Sequence, residues 1–172
     1  MTGARGFCLA DRRRIDELSR SGDLTGLGAD DVVELTGELA VLDPATELAC
    51  LSAILSGDST GTARSAQSPT AAIDLRIWRV DPELLLALQG ADADPEMEWE
   101  DAVLLWKTSA ASASANCDDT ELLALIDRLR LLAGRTTDAL AFYCWWSDHV
   151  PVLTRSKAAI NPEHPLHEGR HV

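Results

Sequence analysis

Residues 136–154 read TTDALAFYCWWSDHVPVLT, and the reading of this stretch decides the fold. The chain has five Trp, two Phe and one Tyr; four of these fall within 142–146, as Phe142, Tyr143, Trp145 and Trp146. At period two, Leu140, Phe142, Cys144 and Trp146 point one way, and Ala139, Ala141, Tyr143 and Trp145 the other. Both sets are apolar. A strand with two apolar faces is covered on both sides and belongs at the centre of a sheet. A helix is the competing reading, but Thr136, Thr137 and the aromatic run favour β.

Working outward, Asp118, Asp119 and Thr120 open a helix just upstream. Its Leu122, Leu125, Ile126 and Leu129 stand at i, i+3, i+4 and i+7, and Gly134 ends it. Downstream, Ser147-Asp148-His149 is expected to turn the chain into Val150–Leu153, which Pro151 marks as an edge. From Asn161 the sequence NPEHPLHEGRHV has two prolines and no apolar pattern. A single domain over 1–160 with a loose tail over 161–172 is the expectation.

The second strand signal is residues 72–80, AIDLRIWRV, with Ile73, Leu75 and Ile77 inward and Asp74, Arg76 and Trp78 outward. A short first strand is read at Gly6–Ala10. Asp11 then caps a helix carrying Ile15 and Leu18 on one face. Spacing of Val32, Leu35, Leu39 and Leu42 predicts a helix over 30–42, with Gly37 as a weak point. Three Asp-Pro pairs, Asp43-Pro44, Asp81-Pro82 and Asp94-Pro95, each predict a helix start, since Asp suits the cap and Pro the first turn. The helix after Pro44 is apolar around most of its circumference, so burial is expected. Residues 57–70 and 108–117 are small, polar and aperiodic, and read as connectors. The sum is an α+β domain, about six helices packed on a small sheet.

The chain has 172 residues, enough for a substantial core without staples. Its formal charge is −13. So acidic a chain repels nucleic acid and anionic lipid, and suits a basic partner. No apolar run reaches the roughly 20 residues of a membrane helix, and the N-terminus lacks the apolar core of a secretory signal. Cys8, Cys50, Cys117 and Cys144 lie far apart, a pattern of reduced thiols in a cytoplasmic protein.

Each chemistry-bearing group in the sequence has a plainer role beside the reactive one. His167-Glu168-Gly169-Arg170-His171 matches the zinc-protease pattern H-E-x-x-H, which requires a helix to aim both histidines at one metal. Pro165, Gly169 and the nearby end of the sequence at Val172 deny it that helix, so no metal site is assigned. Cys144 beside His149 suggests a thiol nucleophile; in a central strand, Cys144 faces the core and His149 sits in the turn. Glu96, Glu98 and Glu100 begin a helix, where carboxylates complement the dipole, and also offer a docking surface. Trp78 is the one aromatic expected on an outward strand face, where tryptophan favours binding. No cofactor motif is present, and no catalytic set is assigned.

The opening Gly6-Phe7-Cys8-Leu9 with its following helix, the segment Leu48–Gly57, and Trp78-Arg79-Val80-Asp81-Pro82-Glu83 resemble the YfbM-like family of small α+β proteins. That family's own function is unassigned. The resemblance implies an α+β fold and carries no activity or site residues.

Two functional expectations follow. The first is a cytoplasmic acidic binding protein, of the inhibitor or immunity type, that presents acidic and aromatic surface to a basic protein partner. The alternative is a small-molecule site or enzyme with its pocket where the aromatic strand meets the 57–70 loop, lined by Tyr143, Trp145, Asp148 and His149.

Overall fold

Leu140–Ser147 (β5) is an eight-residue strand, the middle one of five. The computed structural model describes residues 3–57, 70–71, 75–90 and 98–148. On one side of β5 lies Ala4–Asp11 (β1), antiparallel along its whole length, with Ala4 opposite Ser147 and Asp11 opposite Leu140. On the other side lies Leu75–Arg79 (β4), also antiparallel, with Ile77 opposite Trp145. Val32–Glu34 (β2) and the two residues Thr70–Ala71 (β3) form the edges, giving the order β2–β1–β5–β4–β3.

The alternation of side chains in β5 generates two cores. Phe142 and Cys144 join Phe7 and Leu9 of β1 under four helices: Pro44–Leu55 (α2), Pro82–Gln89 (α3), Trp99–Thr108 (α4) and Asp119–Gly134 (α5). The Phe7 and Phe142 rings lie 5.8 Å apart at a tilt of 57°, a favoured aromatic geometry. Tyr143 and Trp145 point the other way and join Cys8, Ala10, Leu75 and Ile77. Arg12–Ser21 (α1) covers that face with Ile15 and Leu18, helped by Leu24. Trp145 is wholly buried and donates its indole N–H to the Phe7 carbonyl at 3.2 Å. A centrally placed strand with both faces covered is therefore what the aromatic stretch forms.

Helix ends follow local chemistry. The Asp11 carboxylate accepts from Arg14 N at 2.8 Å, Asp43 from Thr46 N at 2.9 Å, and Asp81 from Glu83 N at 3.1 Å. Each satisfies an orphan donor of the first turn. Asp118 takes two such bonds, from Thr120 N and Glu121 N, and they hold its carboxyl below the usual range. Gly22 and Gly90 stop α1 and α3 at φ of 68° and 83°, a left-handed conformation that glycine adopts without strain.

One expected helix is absent. Residues 30–42 form two short 3-10 turns, Ala29–Asp31 and Gly37–Val41, flanking β2. Among the described residues there are thus five α-helices, where about six were expected. The β-branched pair Val32-Val33 reads at period two: Val33 enters the core under the helices and Val32 the opposite one. Gly37, at φ 59°, breaks any helical continuation. Here β1 supplies ladder partners, and tertiary pairing overrides the helical spacing. At Gly6 the β2 backbone comes so close that a Cβ would collide with the Val33 carbonyl.

The helix expected from Asp94-Pro95 begins at Trp99, with Glu98 at the cap position; residues 91–97 lie outside the described set. The strand arm at 150–153, the tail at 161–172 and residues 58–69 of the 57–70 connector lie outside it too.

Candidate functional site

Helix α4 has two unlike faces. Ala102, Val103 and Trp106 are buried against the other helices. Trp99 is half-buried beneath the Arg130 guanidinium, whose carbon stands 4.3 Å from the ring centroid. Glu100, Asp101, Leu104 and Leu105 are exposed, Leu104 at 62% and Leu105 at 46%. Glu100 and Leu104, and likewise Asp101 and Leu105, are four residues apart, so all four side chains share one outward arc. Glu98 continues it, also exposed. The result is an apolar step with carboxylates along one side.

This helix is held rigidly from beneath. Glu47 of α2 is buried, and its carboxylate accepts from Trp106 Nε1 at 2.6 Å, Ser112 Oγ at 2.5 Å and Ala113 N at 2.8 Å. Ser114 Oγ lies 2.7 Å from Ser112 Oγ. Since the one Ser112 proton goes to the carboxylate, Ser114 is the donor in that pair. Three donors on one buried carboxylate meet the demand that a charge in low dielectric be fully hydrogen-bonded. The 108–117 connector is therefore pinned to α2, with a 3-10 turn at Ser114–Asn116. Lys107 at the end of α4 bridges to Asp119 at 2.5 Å, which raises the lysine pKa. The sequence reading missed Glu47; the signal was a single carboxylate inside a helix apolar almost all round.

A pocket of about 360 Å³ opens at the far end of β5. Arg79, Gln89, Thr136 and Asp138 are its polar lining, and Leu85, Leu140 and Phe142 its apolar wall. Much of that polarity is already engaged. Gln89 Nε2 donates to the Ala133 carbonyl at 2.9 Å and to Thr136 Oγ1 at 2.8 Å. Thr137 Oγ1 accepts from Leu140 N at 3.0 Å.

No family model, curated protein or solved structure matches this chain. What it can do is accordingly read from its own residues.

The expected site residues fall into three groups. Glu98 and Glu100 lie on the outward arc of α4, as a docking surface requires, and Asp148 is exposed at the end of β5. Trp145 and Tyr143 are 0% and 8% exposed, within the core on the α1 side. As packed residues they line no opening. Trp78 does point opposite to Leu75 and Ile77, but that face is itself covered, and the ring packs half-buried against the helices. Glu96 and His149 lie outside the described residues, as do the other three histidines. The observed pocket touches β5 at its first residues, Leu140–Phe142, instead of around Trp145.

The thiols are built for packing. Cys8 and Cys144 are fully buried; burial lifts Cys8 to about 12 and Cys144 well above its ordinary value. A nucleophile needs the opposite shift. Burial also raises Cys50, partly offset by Ser109, whose hydroxyl is 3.1 Å from its sulfur. All four cysteines are unpaired. Among the described residues, no helix is long and apolar enough to cross a membrane.

Proposed function

We propose that this protein works by binding, with the outward face of α4 holding a basic, partly apolar protein partner in the manner of an inhibitor or immunity-type protein. The observation that carries this reading is the exposure of Leu104 and Leu105 beside Glu98, Glu100 and Asp101, on a helix whose other face is locked by Glu47. Exposed leucines with carboxylates along one side give an apolar centre with a charged border on that side, an anatomy suited to a recognition patch. A rigid helix loses little entropy on docking. The net charge of −13 steers basic proteins toward it and disfavours nucleic acid. The unpaired thiols suit a cytoplasmic setting. The YfbM-like resemblance is proposed as one of fold, without a shared activity.

The test compares wild type with a Leu104→Ser/Leu105→Ser double variant as baits in cell extract at low salt. The expected result is a basic protein retained by wild type, lost from the variant and released by salt, with the two baits equally stable. Identical proteins on both baits, or none on wild type, would overturn the reading.

The second reading is a small-molecule site in the pocket of about 360 Å³, favoured by the presence of both Arg79 and Asp138 in its lining. A thermal-shift screen of small polar metabolites against wild type and Arg79→Ala would reveal it as a stabilisation lost in the variant.

A further inference from the structure

On the helix side of the sheet, beyond the packed core, three residues stand in one row across three strands. Arg5 of β1 is paired with Trp146 of β5, and Trp146 with Arg76 of β4. Neighbouring strands are about 4.8 Å apart, so the two arginine backbones flank the indole at about 10 Å from one another. Arg76 lies on the ring, its guanidinium carbon 4.1 Å from the centroid. Among the described residues, neither arginine meets a carboxylate, although the chain has an excess of 13 negative charges. Two donors in this row are covered and unused: among the described residues, Arg5 Nε and Trp146 Nε1 have no hydrogen-bond partner. The other two buried indoles, Trp106 and Trp145, do have acceptors. The row is not sealed, since Arg76 is exposed and Arg5 and Trp146 are half-buried. Beside the indole nitrogen stands Gly3, where a Cβ would come within 2.9 Å of Nε1. The same Cβ would collide with the Ser147 carbonyl, so the backbone lies close against this edge of the ring and only glycine fits there.

We infer that the Arg5–Trp146–Arg76 row is a binding site for a compact oxyanion, a phosphate or carboxylate group of a small molecule. Among the described residues, two cations without a carboxylate partner, plus an idle N–H on the residue paired with both, are a set of donors with no acceptor. An oxyanion supplies what each of them lacks. Arginine presents a planar fork that matches the two oxygens of such a group, and charge-assisted bonds of this kind are the strong ones. The ligand's form is constrained as well. Arg76 already occupies a face of the ring, so stacking of a nucleobase is not what the site offers. The acidic field of the whole molecule repels long polyanions, which leaves small ones. The site is separate from the α4 face and does not depend on it.

Nitrogen–proton correlation spectra of the full chain test this through the indole N–H signals. The Trp146 signal is identified by its loss in Trp146→Phe, which keeps a ring for Arg76 to cover. Inorganic phosphate and, separately, acetate are titrated at constant ionic strength against chloride. The expected result is a saturable displacement of the Trp146 indole signal by phosphate, acetate or both, with the Trp106 and Trp145 signals unmoved. Arg5→Gln and Arg76→Gln should each weaken it by about tenfold. The arm that saturates at lower concentration names the oxyanion. No displacement by either anion in folded wild type, the same displacement by chloride, or undiminished displacement in the arginine variants would each overturn the assignment. If Arg5→Gln does not fold, the exposed Arg76→Gln carries the comparison.

Discussion

Cys8 and Cys144 sit on adjacent strands but on opposite faces of the sheet, one in each core. With each sulfur surrounded by apolar side chains, the neutral thiol is the favoured form, which is why Cys8 is pushed up to about 12. The consequence for stability has a definite sign. Below pH 9, the ordinary value of an unfolded thiol, both states keep the proton and the contribution is complete. Between 9 and 12 the unfolded chain releases that proton while the folded chain retains it, so stability falls as pH rises. The slope for one such group is about 1.4 kcal/mol per pH unit. Urea unfolding from pH 8 to pH 10.5 should therefore show a steepening loss, and Cys8→Ala should lose less across the same range despite a lower starting stability. Parallel curves for the two proteins would mean that Cys8 titrates alike in both states. The same burial removes Cys144 from consideration as a nucleophile, whatever stands near it.

At the level of elements, α2, α4 and the 108–117 connector meet on one carboxylate. Glu47→Ala leaves the Trp106 indole N–H, the Ser112 hydroxyl and the Ala113 N–H without their acceptor. Only the Trp106 donor is fully buried, and the other two are partly reached by solvent. With about 1–3 kcal/mol for an abandoned buried donor and less for a solvated one, a loss of about 2–4 kcal/mol is expected on urea denaturation. Glu47→Gln should cost less, because its carbonyl oxygen still accepts. This contact marks where the sequence was legible and where it was not. Helix starts at Asp11, Asp43, Asp81 and Asp118 could be read because the cap is a local interaction, made within three residues. The central place of Leu140–Ser147 could be read because burial on both faces leaves its mark on every residue of the strand. Residues 30–42 misled because Val32, Leu35, Leu39 and Leu42 satisfy helical spacing, while the ladder that wins is supplied by β1, more than twenty residues away in sequence. The candidate face was half legible. Glu98 and Glu100 were visible as charge, but the exposure of Leu104 and Leu105 depends on which side of α4 the other helices take. Ser112 reads as filler because its acceptor stands 65 residues earlier in the chain.

For the molecule as a whole, the charge of −13 acts on two equilibria in opposite directions. Like charges spread over a small fold repel one another, and that repulsion is partly relieved on unfolding. Added sodium chloride shortens the reach of the field to about 10 Å at 0.1 M, so it should stabilise the free protein. The unfolding midpoint is expected to rise from low salt to about 0.3 M, with most of the gain reached once the screening length falls below the spacing of surface carboxylates. Association with a basic partner at α4 draws on the same field as attraction, and should weaken over that range, mainly through a slower on-rate. Sodium chloride is the salt to use, since phosphate would also load the arginine row. Binding measured by stopped-flow beside thermal unfolding in matched buffers separates the outcomes. Opposite salt trends for the two would mean that one acidic field governs both. A partner affinity indifferent to salt would assign recognition to Leu104 and Leu105 alone and take the carboxylates of α4 out of it.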